Sequence, residues 1–114
     1  MRLKSEVWVM AYLRRCATAG SPGVVVRRGD ADAGTIYIKV ARLDRTADLY
    51  GPAPAGFSGG DGERRWSCIG GPAANESDID QAIEREVRMD RDVWVLEIED
   101  RKGWCHLEDW LADD

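Results

Sequence analysis

The chain has 114 residues, of which 44% are apolar and 32% charged, and 16 Lys and Arg against 21 Asp and Glu give a formal net charge of −5. That length suits a single domain over residues 1–114, and the composition is globular, which excludes wholesale disorder. A chain this small has no volume to spare for a large cofactor cavity, so no cofactor is expected.

In chain order, residues 3–19 predict a helix. Leu3, Val7, Met10 and Ala17 repeat near 3.6 and form the expected buried stripe, with Trp8 and Tyr12 as a second apolar patch beside it. The apolar run Val7 to Leu13 is only seven residues long, stops at Arg14-Arg15 and lacks a small-residue cleavage site, so a signal peptide is not expected. No stretch reaches the roughly 20 apolar residues of a membrane-spanning helix. Gly20 followed by Ser21-Pro22-Gly23 stops the first helix.

Three strands are expected next, joined by short connections into an antiparallel meander. They are Val24 to Arg28, then Thr35 to Leu43 after the Gly29–Gly34 turn, then Ala47 to Tyr50 after Asp44-Arg45-Thr46. In the second strand Ile36, Ile38 and Val40 share one face, with Tyr37, Lys39 and Ala41 on the other, turned to solvent or a partner.

Residues 51–72 hold seven of the twelve glycines and three of the four prolines, which predicts a mobile loop, about 51–65, with a short edge strand around Arg65 to Ile69. A second helix is expected from about Ser77 to Met89, capped by Asn75 or Ser77. Ile79, Ala82, Ile83 and Val87 would form its buried stripe, and Glu84 would pair with Arg88. A last strand, Val93 to Glu99, places Trp94, Leu96 and Ile98 on one face, and Trp104, Leu107 and Leu111 space a short C-terminal helix. The fold class is therefore α+β: one domain with a mostly antiparallel sheet of four to five strands.

Charge is divided unevenly. Residues 1–45 carry nine basic and four acidic side chains, a net of +5, and residues 46–114 carry seven and seventeen, a net of −10. Such a split marks either a basic binding surface or two halves that attract each other on folding, and the second reading is favoured in one small domain.

Few residues point to chemistry. Asp30-Ala31-Asp32-Ala33-Gly34 resembles the start of a calcium loop, yet its fifth, sixth and twelfth positions hold Gly34, Thr35 and Ala41. A tight hairpin with Asp side chains bonding their own backbone is the expectation. His106 is the sole histidine, and no CxxC or HxxxH spacing exists, so no metal site is expected. Three widely spaced cysteines, Cys16, Cys68 and Cys105, indicate reduced thiols and a cytoplasmic protein, and packing is their expected role. Glu97, Glu99 and Asp100 at a strand end are expected to be solvated carboxylates, with a carboxylate-dependent enzyme as the remote alternative. Arg14, Arg15, Arg27, Arg28, Lys39 and Arg42 could line a basic face, with Tyr37 stacking on a base beside Lys39. The acidic pI, near 4.9, and the missing RNA- and DNA-binding signatures speak against nucleic acid.

Several segments together resemble one family. Arg2 to Val9, Ala11 to Cys16, Val26 to Gly34, Leu49 to Pro54 and Asp92 to Arg101 are similar to a bacterial, alphaproteobacterial family, the domain of unknown function 1491. The resemblance implies a compact α+β or three-layer fold in a cytoplasmic protein and brings no activity with it. Where the family carries Phe-Asp-Pro-Asp before the last strand, this chain has Met89-Asp90-Arg91-Asp92, so no proline turn is expected there.

No catalytic, cofactor or metal residues are assigned. The leading expectation is a non-enzymatic interaction module that binds a protein partner or a second copy of itself, with nucleic acid as the alternative partner and no membrane. Five tryptophans, many for this length, motivate it, since Trp, Tyr and Arg dominate interface energetics. The candidate interaction residues are Arg14, Arg15, Arg27, Arg28, Asp30, Asp32, Tyr37, Lys39 and Trp110.

Overall fold

In the computed structural model, which describes residues 2–54 and 64–112, the first helix, α1 (Ser5–Thr18), buries Ser5, Trp8, Val9, Tyr12 and Cys16. Leu3, Val7 and Met10, the expected stripe, lie about half exposed (51%, 51% and 55%). The aromatic face wins because it removes more area from water, and the Tyr12 hydroxyl finds a partner in the core. Trp8 stacks on Tyr12 at 5.0 Å and meets Trp66 at 4.9 Å, while the Tyr12 hydroxyl donates to the Cys105 carbonyl at 2.7 Å. The helix stops as expected: Gly20 adopts φ +94°, and the Ser21 amide bonds back to the Cys16 carbonyl at 2.8 Å.

Five strands follow, β1 (Gly23–Arg27), β2 (Ile36–Ala41), β3 (Thr46–Pro52), β4 (Trp66–Asn75) and β5 (Trp94–Glu99), in the sheet order β1-β5-β2-β3-β4. β2–β3, β3–β4 and β1–β5 pair antiparallel, and β2–β5 is parallel. The meander of the first three strands is thus corrected. β5 inserts between β1 and β2, and the residues read as a hairpin turn instead cross the start of β5. There the Asp30 amide donates to the Asp92 carbonyl (2.9 Å), the Trp94 amide to Thr35 (2.7 Å) and the Trp94 indole to the Asp30 carbonyl (2.7 Å). A Cβ on Gly34 would stand 2.3 Å from the Asp92 carbonyl oxygen, so the crossing requires glycine at that point. The Asx turn itself forms: Asp30 Oδ2 accepts from the Asp32 and Ala33 amides.

The second helix, α2 (Glu76–Met89), is capped by the Asn75 side chain, which accepts from the Ser77 amide at 2.9 Å. It lies on the sheet face opposite α1. Ile36, Ile38, Val40, Trp94, Leu96 and Ile98 pack with α1, as their alternation predicts. Ile79 of α2 packs instead with Ala47, Leu49 and Tyr37. The β2 face expected to meet solvent is therefore covered, because α2 must bury its own apolar stripe and the first face is occupied.

β4 is longer than the expected edge segment, ten residues with a bulge opposite Ala47 to Leu49. The C-terminal helix shortens to one 3₁₀ turn, Glu108–Trp110, since Leu107 and Cys105 are already buried against the α1 core. The centre of the Gly/Pro-rich stretch, residues 55–63, lies outside the described residues. No helix among the described residues is long and apolar enough to cross a membrane.

Candidate interaction site

The nine candidate residues do not converge on one face. Arg14 and Arg15 sit exposed at the end of α1. The Arg15 guanidinium lies 4.4 Å over the Trp110 ring, which itself packs edge-on against Trp8 at 6.1 Å, and Arg15 donates to the His106 carbonyl. Arg28 pairs with Glu6 of α1 and lies 5.1 Å over the Trp94 ring. Asp32 pairs with Lys4 at 3.6 Å, and Asp30 is occupied in its own turn.

Tyr37 and Lys39 are beneath α2. The Tyr37 hydroxyl donates to Glu86 at 3.1 Å, and burial followed by that contact pushes its pKa up to about 12. Lys39 is almost wholly buried, with its ammonium 2.8 Å from Glu76, 2.7 Å from Asp80 and 3.5 Å from Glu97. Burial opposes its charge, but bonds to Asp80 and Glu76 and the nearby Glu97 outweigh that, so its pKa is raised. A basic face running from Arg14 through Arg28 to Lys39 therefore does not exist.

The carboxylates also stay apart. Glu97 serves Lys39, Glu99 is exposed, and Asp30 and Asp32 lie on the loop before β2. No group of three or more His, Cys, Asp and Glu among the described residues could hold a metal. All three cysteines are free thiols, and burial raises each one's pKa, Cys16 to about 11.

One chain of polar groups was not legible in the sequence. Buried Ser21 donates to Asp100 at 2.8 Å, and buried His106 stands 2.8 Å from the same hydroxyl through Nε2. With the serine proton directed at the carboxylate, the imidazole Nε2–H donates to Ser21 and cannot act as its base, so the arrangement ties three loops together and activates no nucleophile. Burial lowers the His106 pKa, and Trp104 stacks on its ring at 3.9 Å. His106 holds φ +62°, a left-handed conformation uncommon outside glycine.

What the fold does assemble is a groove. β1 is an edge strand, and α2 rests mainly on β2, β3 and β4, so the sheet face toward β1 is left partly open. Val26 and Arg27 of β1, Val95 of β5, and Ile83, Glu84, Val87 and Arg88 of α2 line a cavity of about 350 Å³. Val24 stands opposite Glu97 in the ladder and so projects toward the same face. Val24 and Val26 are 59% and 58% exposed. At one end the groove continues into a second cavity of about 400 Å³, formed by Arg27, Val87, Arg88 and Arg91. The Arg27 Nη2 donates to the Arg91 carbonyl at 2.9 Å, but its buried Nε has no partner. The expected Glu84–Arg88 pair does not form. Neither Arg88 nor Arg91 takes part in the ion pairs of Lys4, Arg28, Lys39 and Arg42. Of the nine candidates only Arg27 belongs here. The signal for the rest was the Val24-Val25-Val26 run, which lacks the alternation of a half-buried strand.

The family model described as a protein of unknown function, DUF1491, matches residues 3–108. The chain belongs to the DUF1491 family. A crystal structure of a DUF1491 family protein from Caulobacter crescentus CB15 is 36% identical, with a TM-score of 0.80, covering 99% of this chain and 100% of that one. An NMR structure of a DUF1491 family protein from the same organism is 39% identical, with a TM-score of 0.79 and 99% coverage of both chains. The solution structure of protein Atu0922 from A. tumefaciens is 39% identical, with a TM-score of 0.74, covering 87% of this chain and 86% of that one. No curated protein matches the chain. The relatives agree with the resemblance read from the sequence and with its alphaproteobacterial range.

Proposed function

We propose that this DUF1491 protein is a non-enzymatic interaction module whose β1–α2 groove takes an acidic amphipathic helix from a partner protein. The observation that carries the reading is the open apolar floor of the groove with Arg27, Arg88 and Arg91 gathered at one end. Arg88 and Arg91 stand at the same end, a local positive cluster on a chain of net charge −5. Val24, Val26, Val87 and Val95 suit the apolar stripe of a helix laid alongside α2, and glutamates on its flank would meet the arginines.

Strand addition at β1 is a poorer fit. Pro22 precedes the strand and its register breaks between Val25 and Arg27, devices that blunt an edge. A second copy fits less well than a foreign helix, because the acidic α2 already has Ile79 buried on its own sheet, with Ile83 packed beside it. Free thiols at Cys16, Cys68 and Cys105 suit a reducing cytoplasm, where this capture would take place.

Selection of a random-peptide display library on the purified chain tests this. Enriched sequences are expected to carry apolar residues at helical spacing flanked by Asp and Glu, and to be lost on the Val26→Asp variant. Enrichment of basic or strictly alternating sequences, or selection unchanged by Val26→Asp, would overturn it.

A further inference from the structure

The outer side of α1 is uncovered. Val7 and Met10, one turn apart, are 51% and 55% exposed and lie on the side of the helix away from buried Trp8, Val9, Tyr12 and Cys16. A groove runs beside this stripe: Ala11, Arg14 and Thr18 of α1 and Trp104 of the tail line a cavity of about 660 Å³. Trp104 stacks on His106 and is 47% exposed. Charge is ordered along the same flank. Exposed Glu108 and Asp109 line the groove beside the C-terminal half of the helix. Lys4, two turns before Ala11 and therefore on its side of the helix, stands at the opposite end. Lys4 reaches Asp32 only at 3.6 Å, with both side chains mostly in water.

We infer that the outer side of α1 is a self-association surface, on which two copies of the chain pair antiparallel about a two-fold axis near Met10. Such an axis sets Val7 and Met10 of each copy against those of the other, and methionine adapts readily to an irregular contact. It also reverses the helix, so the basic end of the flank in one copy lies along the acidic end of the same flank in the other. Lys4 then faces Glu108 and Asp109, Arg14 faces Glu6, and each contact occurs twice by symmetry. The surface thus supplies both halves of its own complement, which selects a second copy over a foreign helix. The contact is small, so the dimer is transient, dissociating between micromolar and millimolar concentration. It shares no residue with the β1–α2 groove, and the sheet separates the two, so the inference stands apart from the capture of a partner helix.

Sedimentation equilibrium of the full chain from micromolar to millimolar concentration tests this, at physiological ionic strength so that the −5 charge of each copy is screened. A reversible monomer–dimer equilibrium is expected. Met10→Asp sets two carboxylates face to face at the axis and is expected to leave the chain monomeric, with an unchanged circular dichroism spectrum because the side chain is exposed. Glu108→Lys with Asp109→Lys is expected to weaken the dimer by about tenfold, and adding Lys4→Glu to recover most of that loss. Val26→Asp, in the other groove, is expected to leave dimerisation unchanged. A chain monomeric throughout, a dimer indifferent to Met10→Asp, no recovery on adding Lys4→Glu, or loss of the dimer in Val26→Asp would overturn the inference.

Discussion

At the scale of single residues, polar groups decide more than the sequence pattern reveals. Lys39 reads in the sequence as a cation on a strand face turned to solvent or a partner, and the structure buries it instead. What the pattern lacks is that α2 lies over that face and brings Glu76 and Asp80 down to it. His106 was invisible for a related reason: its partners Ser21 and Asp100 are far away in sequence and meet only because the tail folds back on the core. Its lowered pKa has a direct consequence. The folded-state value lies below the unfolded value of about 6.5, so between the two the unfolded chain binds more protons. Stability should therefore be full above about pH 6.5, fall as pH drops below it, and level off below the folded pKa. Asp100, Glu108 and Arg15 are the charged groups acting on the ring. Urea unfolding across this range, compared between wild type and His106→Asn, isolates the effect, since asparagine tolerates the left-handed backbone and does not titrate in this range. The wild type is expected to lose stability relative to the variant as pH falls; parallel curves would contradict the assignment.

At the scale of elements, the order of the elements and their internal alternation were legible, while helix orientation, strand partners and the extents of β4 and the C-terminal turn were not. The α2 cap at Asn75, the α1 stop at Gly20 and the shared face of Ile36, Ile38 and Val40 follow from local rules. The first helix offers two apolar faces, and counting apolar positions favours Leu3, Val7 and Met10. Burial instead rewards area, which belongs to Trp8 and Tyr12, and the Tyr12 hydroxyl is satisfied by the Cys105 carbonyl. The β1–β2 connection looks like a hairpin because its turn chemistry is local, whereas the insertion of β5 depends on contacts some sixty residues apart. Denaturant midpoints separate the two faces of α1. Trp8→Ala is expected to cost about 3–5 kcal/mol as a buried aromatic truncation, whereas Val7→Ala should stay within about 0.5 kcal/mol as an exposed change. Equal losses at the two positions would show that the helix buries a different face.

At the scale of the whole molecule, one helix on each face leaves a five-stranded sheet unevenly covered. α1 closes its side with a core of Trp8, Tyr12, Trp66 and the β-strand aliphatics, while α2 covers the opposite face incompletely toward β1. Three of the five tryptophans, Trp8, Trp66 and Trp94, are buried in the core, so their abundance reflects packing more than interface. The charge asymmetry along the sequence resolves into separate local arrangements: Arg28 on Glu6, Lys39 among three carboxylates, Arg42 on Asp48, and Arg27, Arg88 and Arg91 left around the groove. A groove of this kind cannot be read from periodicity, because it arises from what the second helix fails to cover.

The most direct measurement is a charge exchange across that groove. An acidic amphipathic peptide obtained by selection on the wild type, and its counterpart with each glutamate replaced by lysine, are titrated against wild type and against Arg88→Glu with Arg91→Glu. Exposed ion pairs contribute about 0–1 kcal/mol each, and reversing two of them converts attraction into repulsion. The reversed variant is therefore expected to lose about tenfold or more in affinity for the acidic peptide and to gain affinity for the lysine peptide. Unchanged affinities in the reversed variant, or equal losses for both peptides, would contradict capture of an acidic helix between β1 and α2.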